Sequence, residues 1–82
     1  MYKLIVQPPA AKQLRKLPRA KQEKIAEVLN LLKQDPFLGK KLRGSHTGKY
    51  ALRVWPYRII YMVKKQKVTV YGLAIGHRQG IH

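Results

Sequence analysis

The chain has 82 residues, with 18 Lys and Arg against three Asp and Glu, a formal net charge of +15 at pH 7. Self-repulsion of that size costs stability, so the charge predicts a polyanionic partner, nucleic acid rather than a membrane surface. The length allows a single domain over residues 1–82, and the absence of Cys excludes disulfides and thiolate metal sites.

The N-terminal half predicts one strand and two helices. Residues 2–6 alternate as an edge strand, which Pro8-Pro9 ends. A short helix is expected over residues 9–17 and a longer one over residues 19–34, with Pro18 between them. The second helix carries a stripe at amphipathic spacing, made of Ile25, Val28, Leu29 and Leu32. The two helices should form a hairpin whose stripe packs on one face of a sheet.

Residues 37–48 contain three glycines and are predicted to be a loop. The loop carries three cations, Lys40, Lys41 and Arg43, around the apolar Leu42. No signal peptide or membrane-spanning run is predicted anywhere in the sequence, because Leu4-Ile5-Val6 is too short an apolar core. We therefore expect a cytoplasmic protein.

Residues 49–78 predict three consecutive strands by their period-two pattern of apolar and polar residues. Pro56 is incompatible with the positive φ of a type I′ turn, so a four-residue loop over residues 54–57 is expected between the first two strands. Residues 64–67 are interpreted as a solvated hairpin turn. An even-length loop at Pro56 places Arg53 opposite Arg58, a mildly destabilising pair that an anion between the two side chains would relieve.

Strand alternation then assigns side chains to the two faces of the sheet. The face under the helices is predicted to carry Leu52, Val54, Ile59, Val63, Val68, Val70 and the small residues Gly72 and Ala74. The opposite face is predicted to carry Ala51, Arg53, Arg58, Ile60, Met62, Thr69, Tyr71, Leu73 and Ile75. An uncovered face that is half apolar indicates a docking surface for protein or RNA.

The available side chains favour phosphodiester chemistry. Metal ligation is not predicted, because the three histidines lack ligand spacing, and Glu23 and Glu27 are assigned to an exposed helix face. Arg, Lys, Tyr and His suit a metal-independent ribonuclease, in which the 2′-hydroxyl of the substrate attacks the adjacent phosphate. The protein then needs only to position the RNA, neutralise charge and move protons.

Three sequence elements together resemble the RelE/ParE superfamily of type II toxins: K-L-R-G at residues 41–44, L-R-V-W-P-Y-R-I-I-Y at residues 52–61, and I-G-H-R at residues 75–78. The resemblance spans essentially the whole chain and implies an α+β fold of order β-α-α-β-β-β, with the helical hairpin on one face of an antiparallel sheet. It also implies an acidic, RelB-like antitoxin as partner and, in the RelE branch, messenger RNA cleavage on the ribosome. No small-molecule cofactor is implied.

Carried over by position, the resemblance makes Arg58 and Arg78 contacts to the phosphate and transition state, and Arg53 matches the arginine of the L-R element. Lys49 falls near a basic position just before that strand. Ala51 departs from the pattern, since RelE-like members often carry Lys or Arg there. His82 replaces a C-terminal tyrosine and is the predicted general acid or base.

The remaining assignments concern RNA contacts. Lys40, Lys41, Arg43, Lys49 and His77 are predicted to bind RNA backbone of the messenger or the ribosome. His77 is also the second choice for proton transfer, and His46 is expected to contact RNA or solvent. Two alternatives stay open: a ParE-like inhibitor of DNA gyrase without enzymatic activity, and a basic RNA-binding module.

Overall fold

The computed structural model describes residues 1–77, which form a five-stranded sheet with two helices. The elements in chain order are β1 (Lys3–Val6), α1 (Pro8–Arg15), α2 (Arg19–Gln34), β2 (Lys40–Lys41), β3 (Lys49–Val54), β4 (Tyr57–Lys64) and β5 (Thr69–His77). Short 3₁₀ turns occupy Gly44–His46 and Lys65–Lys67. The strand order is β1-β5-β4-β3-β2, and only β1 pairs in parallel. The predicted α+β class is confirmed, but the sheet is mixed and not antiparallel throughout, because β1 and β5 are parallel.

The predicted N-terminal strand and two helices are confirmed, although α1 ends at Arg15 and not at residue 17. β1 lies at a sheet edge beside β5, and α2 has the predicted bounds. α1 begins with Pro8 and Pro9, since proline is tolerated in the first helical turn, where backbone N–H groups have no intrahelical acceptor. No helix of residues 1–77 is long and apolar enough to span a membrane.

The core lies between the helices and one face of the sheet. Ile25, Leu29 and Leu32 of α2 are buried, and Val28 packs beside them, as their helical spacing predicted. The sheet contributes the buried side chains Val54, Ile59, Tyr61, Val70 and Ile75. Leu52 and Val63 are partly buried against this cluster. Tyr61 is the largest fully buried side chain, although the sequence analysis did not assign it to the core.

Helix α1 also supplies a hydrogen bond to the sheet. The chain leaves β1 after Val6, whereas β5 continues to His77. The Gln13 side-chain oxygen accepts the Ile75 backbone N–H at 2.7 Å. A side chain of α1 therefore satisfies a strand donor beyond the end of β1.

Two connections differ from their predictions. The loop after α2 contains β2, which pairs antiparallel with β3 and was missed because two residues show no periodicity. The predicted four-residue loop at Pro56 is wrong, since Val54 pairs with Tyr57 and only Trp55 and Pro56 lie between the strands. The Trp55–Pro56 peptide bond is cis.

A β-bulge changes which side chains of β5 face the core. Ile60 pairs with Ala74 and Tyr61 pairs with Gly72, so Leu73 is the extra residue. Beyond the bulge the alternation shifts by one residue. Ile75 is therefore buried in the core, and Ala74 lines the open face, the reverse of the prediction for both.

At the start of β5, the predicted core position of Val68 is also wrong, and Thr69 is more buried than an open-face residue was expected to be. Val68 has a left-handed conformation with φ of 49° after the 3₁₀ turn and is 47% exposed, so it lies outside the strand and the core. Thr69 precedes the core residue Val70 in β5, so alternation keeps it on the open side as predicted, but it is buried there. Its hydroxyl donates to the Lys67 backbone carbonyl at 2.8 Å, which satisfies the side chain within the turn.

Candidate active site

The face of the sheet away from the helices, here called the open face, collects four cations from three strands. Lys49 and Arg53 lie on β3, Arg58 lies on β4, and Lys40 comes from β2. Lys49, Ala51 and Arg53 share one face of β3 by alternation. Lys40 pairs with Ala51, and Arg58 pairs with Arg53, so all four cations lie on the same side of the sheet. The predicted opposition of Arg53 and Arg58 is confirmed by this register.

A cavity of about 390 Å³ opens on this face. Its cationic and titratable lining consists of His46, Lys49 and Arg58. Its apolar lining consists of Leu42, Ala51, Ile60, Leu73 and Ala74. The β5 bulge shapes one wall of this cavity, because Leu73 and Ala74 both line it.

A second groove adjoins the cavity and shares Leu42, Ala51 and Arg58 with it. Lys40 and Arg53 extend this groove along the sheet. Arg58 therefore lies where the two depressions meet. A polyanion that crossed the open face could contact all four cations, with Arg58 at the centre of the path.

Within residues 1–77, no acidic side chain forms an ion pair with these cations. All three carboxylates belong to α2 or to Asp35 just after it. In residues 1–77 the only ion pair is between Lys24 and Glu27, at 3.9 Å on the exposed surface of α2. The open-face cations thus have no protein carboxylate to neutralise them within the described chain, which favours an external anion.

The position of β2 depends on a hydrogen bond from the buried side of the sheet. Gly39, just before Lys40, donates its backbone N–H to the Tyr61 hydroxyl at 2.8 Å. The Tyr61 ring stacks on Tyr50 with 5.4 Å between ring centroids. Burial raises the pKa of the Tyr61 phenol, and the Gly39 hydrogen bond opposes that shift. A buried tyrosine therefore holds the strand that presents Lys40.

His46 belongs to this site, although the sequence analysis assigned it only to RNA or solvent contact. It ends the 3₁₀ turn that connects β2 to β3. Gly44 and Gly48, on either side, have positive φ angles of 69° and 94°. Two glycines around a histidine do signal a tight turn, but only the pairing of β2 with β3 brings that turn over the cavity.

Several predicted site residues are not part of this group. Lys41 pairs with Tyr50, so alternation directs it to the other side of β2, and Arg43 follows on the exposed connection. His77 pairs with Tyr57 and contacts its ring edge-on, 6.0 Å between centroids, on the face opposite Arg58. Arg78 and His82 lie outside the described residues.

Chemically, the site combines the fixed positive charges of arginine and lysine with one imidazole, and the rest of the cavity lining is apolar. Arginine and lysine remain protonated at neutral pH and can neutralise phosphate oxygens. An imidazole can accept or donate a proton in that range. In the described part of the chain, no group of three or more His, Asp and Glu side chains is placed to hold a metal ion.

Comparisons with known proteins agree with this fold. Residues 4–81 match the family model described as the ParE toxin of the type II toxin-antitoxin system parDE. The toxin-antitoxin complex RelBE2 from Mycobacterium tuberculosis contains a chain with a TM-score of 0.88 and 29% identity, covering 94% of this chain and 98% of that one. No curated protein sequence gives a significant match.

Two further solved structures extend the likeness across bacteria and archaea. The isolated E. coli RelE toxin has a TM-score of 0.83 and 29% identity, covering 94% of this chain and 84% of that chain. The RelE-RelB complex from Pyrococcus horikoshii OT3 has a TM-score of 0.82 and 27% identity, covering 94% of each chain.

Proposed function

The chain belongs to the RelE/ParE superfamily as a toxin of a type II toxin-antitoxin system, and we propose that it is a ribosome-dependent endoribonuclease that cleaves messenger RNA without a metal ion. Cleavage of messages would inhibit translation and arrest growth. A substrate of translated messenger RNA would require the protein to act in the cytoplasm. A cognate RelB-like antitoxin would neutralise it.

One observation carries this proposal: Arg58 lies at the junction of two cation-lined depressions on the open face. Lys49 and His46 line the cavity with it, and Lys40 and Arg53 line the adjoining groove. A nucleic acid backbone is a linear polyanion, and a continuous path of cations across a sheet suits it. An inhibitor that acts only by protein contact has no need for an imidazole beside clustered cations.

The proposed reaction is attack of the ribose 2′-hydroxyl on its own phosphate. The substrate supplies the nucleophile, so the protein contributes positioning and charge neutralisation. Arg58 and Arg53 would contact the phosphate, and Lys40 and Lys49 would hold the backbone on either side. Arg43, Lys41 and His77 remain proposed RNA contacts at the periphery. Arg78 and His82 keep their proposed roles as phosphate contact and acid or base.

The antitoxin partner is proposed to be acidic. RelBE2 and the Pyrococcus horikoshii protein were solved as toxin-antitoxin complexes. Opposite charge would make association with a toxin of net charge +15 fast and sensitive to salt. A segment that folds on binding would cover the half-apolar open face, where Ile60, Met62 and Tyr71 are only partly buried.

Inhibition of DNA gyrase is the second candidate function, because the matching family model is that of ParE toxins. The two functions make opposite predictions for RNA and for DNA topology. The test is to induce the toxin briefly, map the new 5′ ends of messenger RNA, and assay gyrase supercoiling with the purified protein. Arg58→Ala is the active-face variant, and Arg15→Ala on α1 is its matched control.

We expect the wild type and Arg15→Ala to generate RNA ends within codons and to leave supercoiling intact. Arg58→Ala should produce few such ends while accumulating to the same level. Intact messages together with lost supercoiling would overturn the ribonuclease proposal in favour of the gyrase inhibitor. If a folded protein that still binds RNA neither cleaves messages nor reduces supercoiling, the result would favour a basic RNA-binding module.

A further inference from the structure

The turn between β2 and β3 is held by hydrogen bonds at both its base and its tip. Leu42 donates its backbone N–H to the Lys49 carbonyl at 2.9 Å, which closes the base. At the tip, the Thr47 hydroxyl donates to the Gly44 carbonyl at 2.6 Å, and the Thr47 backbone N–H donates to the same oxygen at 3.1 Å. His46, one of the two residues between Gly44 and Thr47, is therefore set in a defined turn.

The His46 side chain is partly buried and lines the 390 Å³ cavity. The charged side chains that line the cavity with it are Lys49 from β3 and Arg58 from β4. β5 contributes only Leu73 and Ala74 to this lining, and no carboxylate is included. The imidazole thus shares one depression with two cations able to bind a phosphate.

Only one of these three groups can accept a proton at neutral pH. Guanidinium and ammonium groups ordinarily titrate far above that range, whereas an imidazole titrates near it. Arg58 and Lys49 are therefore suited to charge neutralisation and not to removing a proton. General base catalysis requires a group that can accept a proton near neutral pH, as an imidazole can.

We infer that His46 is the general base that removes the proton from the 2′-hydroxyl of the RNA at the scissile phosphate. This inference rests on the proposed ribonuclease function and assigns the role of general base in that reaction to His46. As the O2′–P bond forms, the proton passes to the neutral imidazole, and the P–O5′ bond breaks with its electron pair on O5′. O5′ takes up a proton from water or from an acid such as His82, and His46 returns its proton to solvent. The products are a 2′,3′-cyclic phosphate and a 5′-hydroxyl.

The test measures single-turnover cleavage of messenger RNA on programmed ribosomes as a function of pH. We compare the wild type with His46→Gln and His46→Ala, and Ser45→Ala in the same turn is the control. Removal of a general base lowers the rate by about 10²- to 10⁴-fold. Binding is measured separately with RNA that carries a 2′-deoxynucleotide at the cleavage site, and thermal melts check that each variant is folded.

We expect both His46 variants to bind the deoxy substrate as the wild type does and to lose cleavage, while Ser45→Ala keeps its rate. The wild-type rate should rise with pH to a plateau, and this titration should be absent in His46→Gln. Free imidazole in the buffer should partly restore cleavage by His46→Ala, which a merely structural histidine would not allow.

Wild-type cleavage by a folded His46→Gln, or an unchanged pH profile, would overturn the assignment and leave the ribonuclease proposal standing. Loss of cleavage matched by loss of binding, without imidazole rescue, would also overturn it, because His46 would then be an RNA contact. If the wild type cleaves no RNA, both the proposed function and this inference fail, so the two failures are distinguishable.

Discussion

Arg53 and Arg58 are direct neighbours across the antiparallel pair β3–β4, on the face of the sheet that the helices leave open. Arg58 lines both the cavity and the adjoining groove, and Arg53 lines only the groove. Like charges in this arrangement are destabilising by a fraction of about 1 kcal/mol. An anion bound between the two side chains would relieve this repulsion.

Replacement of Arg58 with Ala should therefore reduce activity without reducing stability. We expect a loss of about 10²- to 10³-fold in RNA cleavage, the usual effect of removing one electrostatic contact to a transition state. The melting temperature should stay the same or rise, because the variant lacks the repulsion from Arg53. Cleavage assays and thermal melts, with Arg15→Ala as control, test both parts. A lowered melting temperature that accounts for the lost activity would contradict the prediction.

Gly39 is in a position with no space for a side chain. A Cβ atom there would lie 2.6 Å from the Tyr61 hydroxyl oxygen and 2.9 Å from the Ala51 carbonyl oxygen. Gly39→Ala should cost about 1–3 kcal/mol of unfolding free energy, the usual cost of overpacking. Urea denaturation measures this value.

Gly72→Ala is the matched control for Gly39→Ala. Gly72 is buried in β5, but a Cβ atom there would make only ordinary contacts with Val6, the nearest at 3.7 Å. We expect Gly72→Ala to be much less destabilising than Gly39→Ala. Equal losses in the two variants would show that β2 shifts freely and does not depend on the Gly39–Tyr61 contact.

Tyr61 should make stability fall at high pH. Burial raises its pKa above the ordinary value of 10.0, so the folded protein keeps the phenolic proton where the unfolded chain releases it. This contribution to stability is complete below pH 10.0 and is lost as pH rises through the folded pKa. The measurement is the free energy of unfolding in urea at increasing pH for the wild type and Tyr61→Phe.

At neutral pH, Tyr61→Phe should cost about 0.5–1.5 kcal/mol, since Gly39 loses its acceptor. The stability difference between wild type and variant should then shrink as the pH rises above 10.0, because only the wild type carries the buried phenol. Comparing the two proteins cancels the titration of the many lysines. A difference that grows with pH would contradict the predicted direction of the pKa shift.

Gln13 should stabilise the outer half of β5 through its bond to the Ile75 backbone N–H. Gln13→Ala removes the acceptor and should cost about 0.5–1.5 kcal/mol, whereas Gln13→Glu keeps an acceptor oxygen and should cost less. Gln66→Ala, in the exposed 3₁₀ turn, provides a control without this bond. Hydrogen exchange of the Ile75 amide should accelerate in Gln13→Ala only. Unchanged exchange would mean that the side chain does not protect this strand.

Local pattern was sufficient for both helices, for the strands other than β2 and for one key register. The stripe from Ile25 to Leu32 and the flanking prolines predicted α2 with its observed bounds, because helix period and proline chemistry act within a few residues. The even number of residues between Arg53 and Arg58 predicted their pairing, whichever turn joins the strands. The motifs also predicted the family that residues 4–81 match.

Tertiary structure decided the details that shape the open face. The bulge at Leu73 is a feature of the pairing with β4, and the Ile75 N–H beyond it donates to Gln13, 62 residues away in sequence. The bulge exchanges Ile75 and Ala74 between the two faces, because a single extra residue reverses strand alternation. The placement of His46 likewise depends on pairing of the two-residue β2 with β3, which sequence periodicity cannot show in so short a segment. Alternation and helix period are local properties, whereas bulges and the direction of a turn are set by partners distant in sequence.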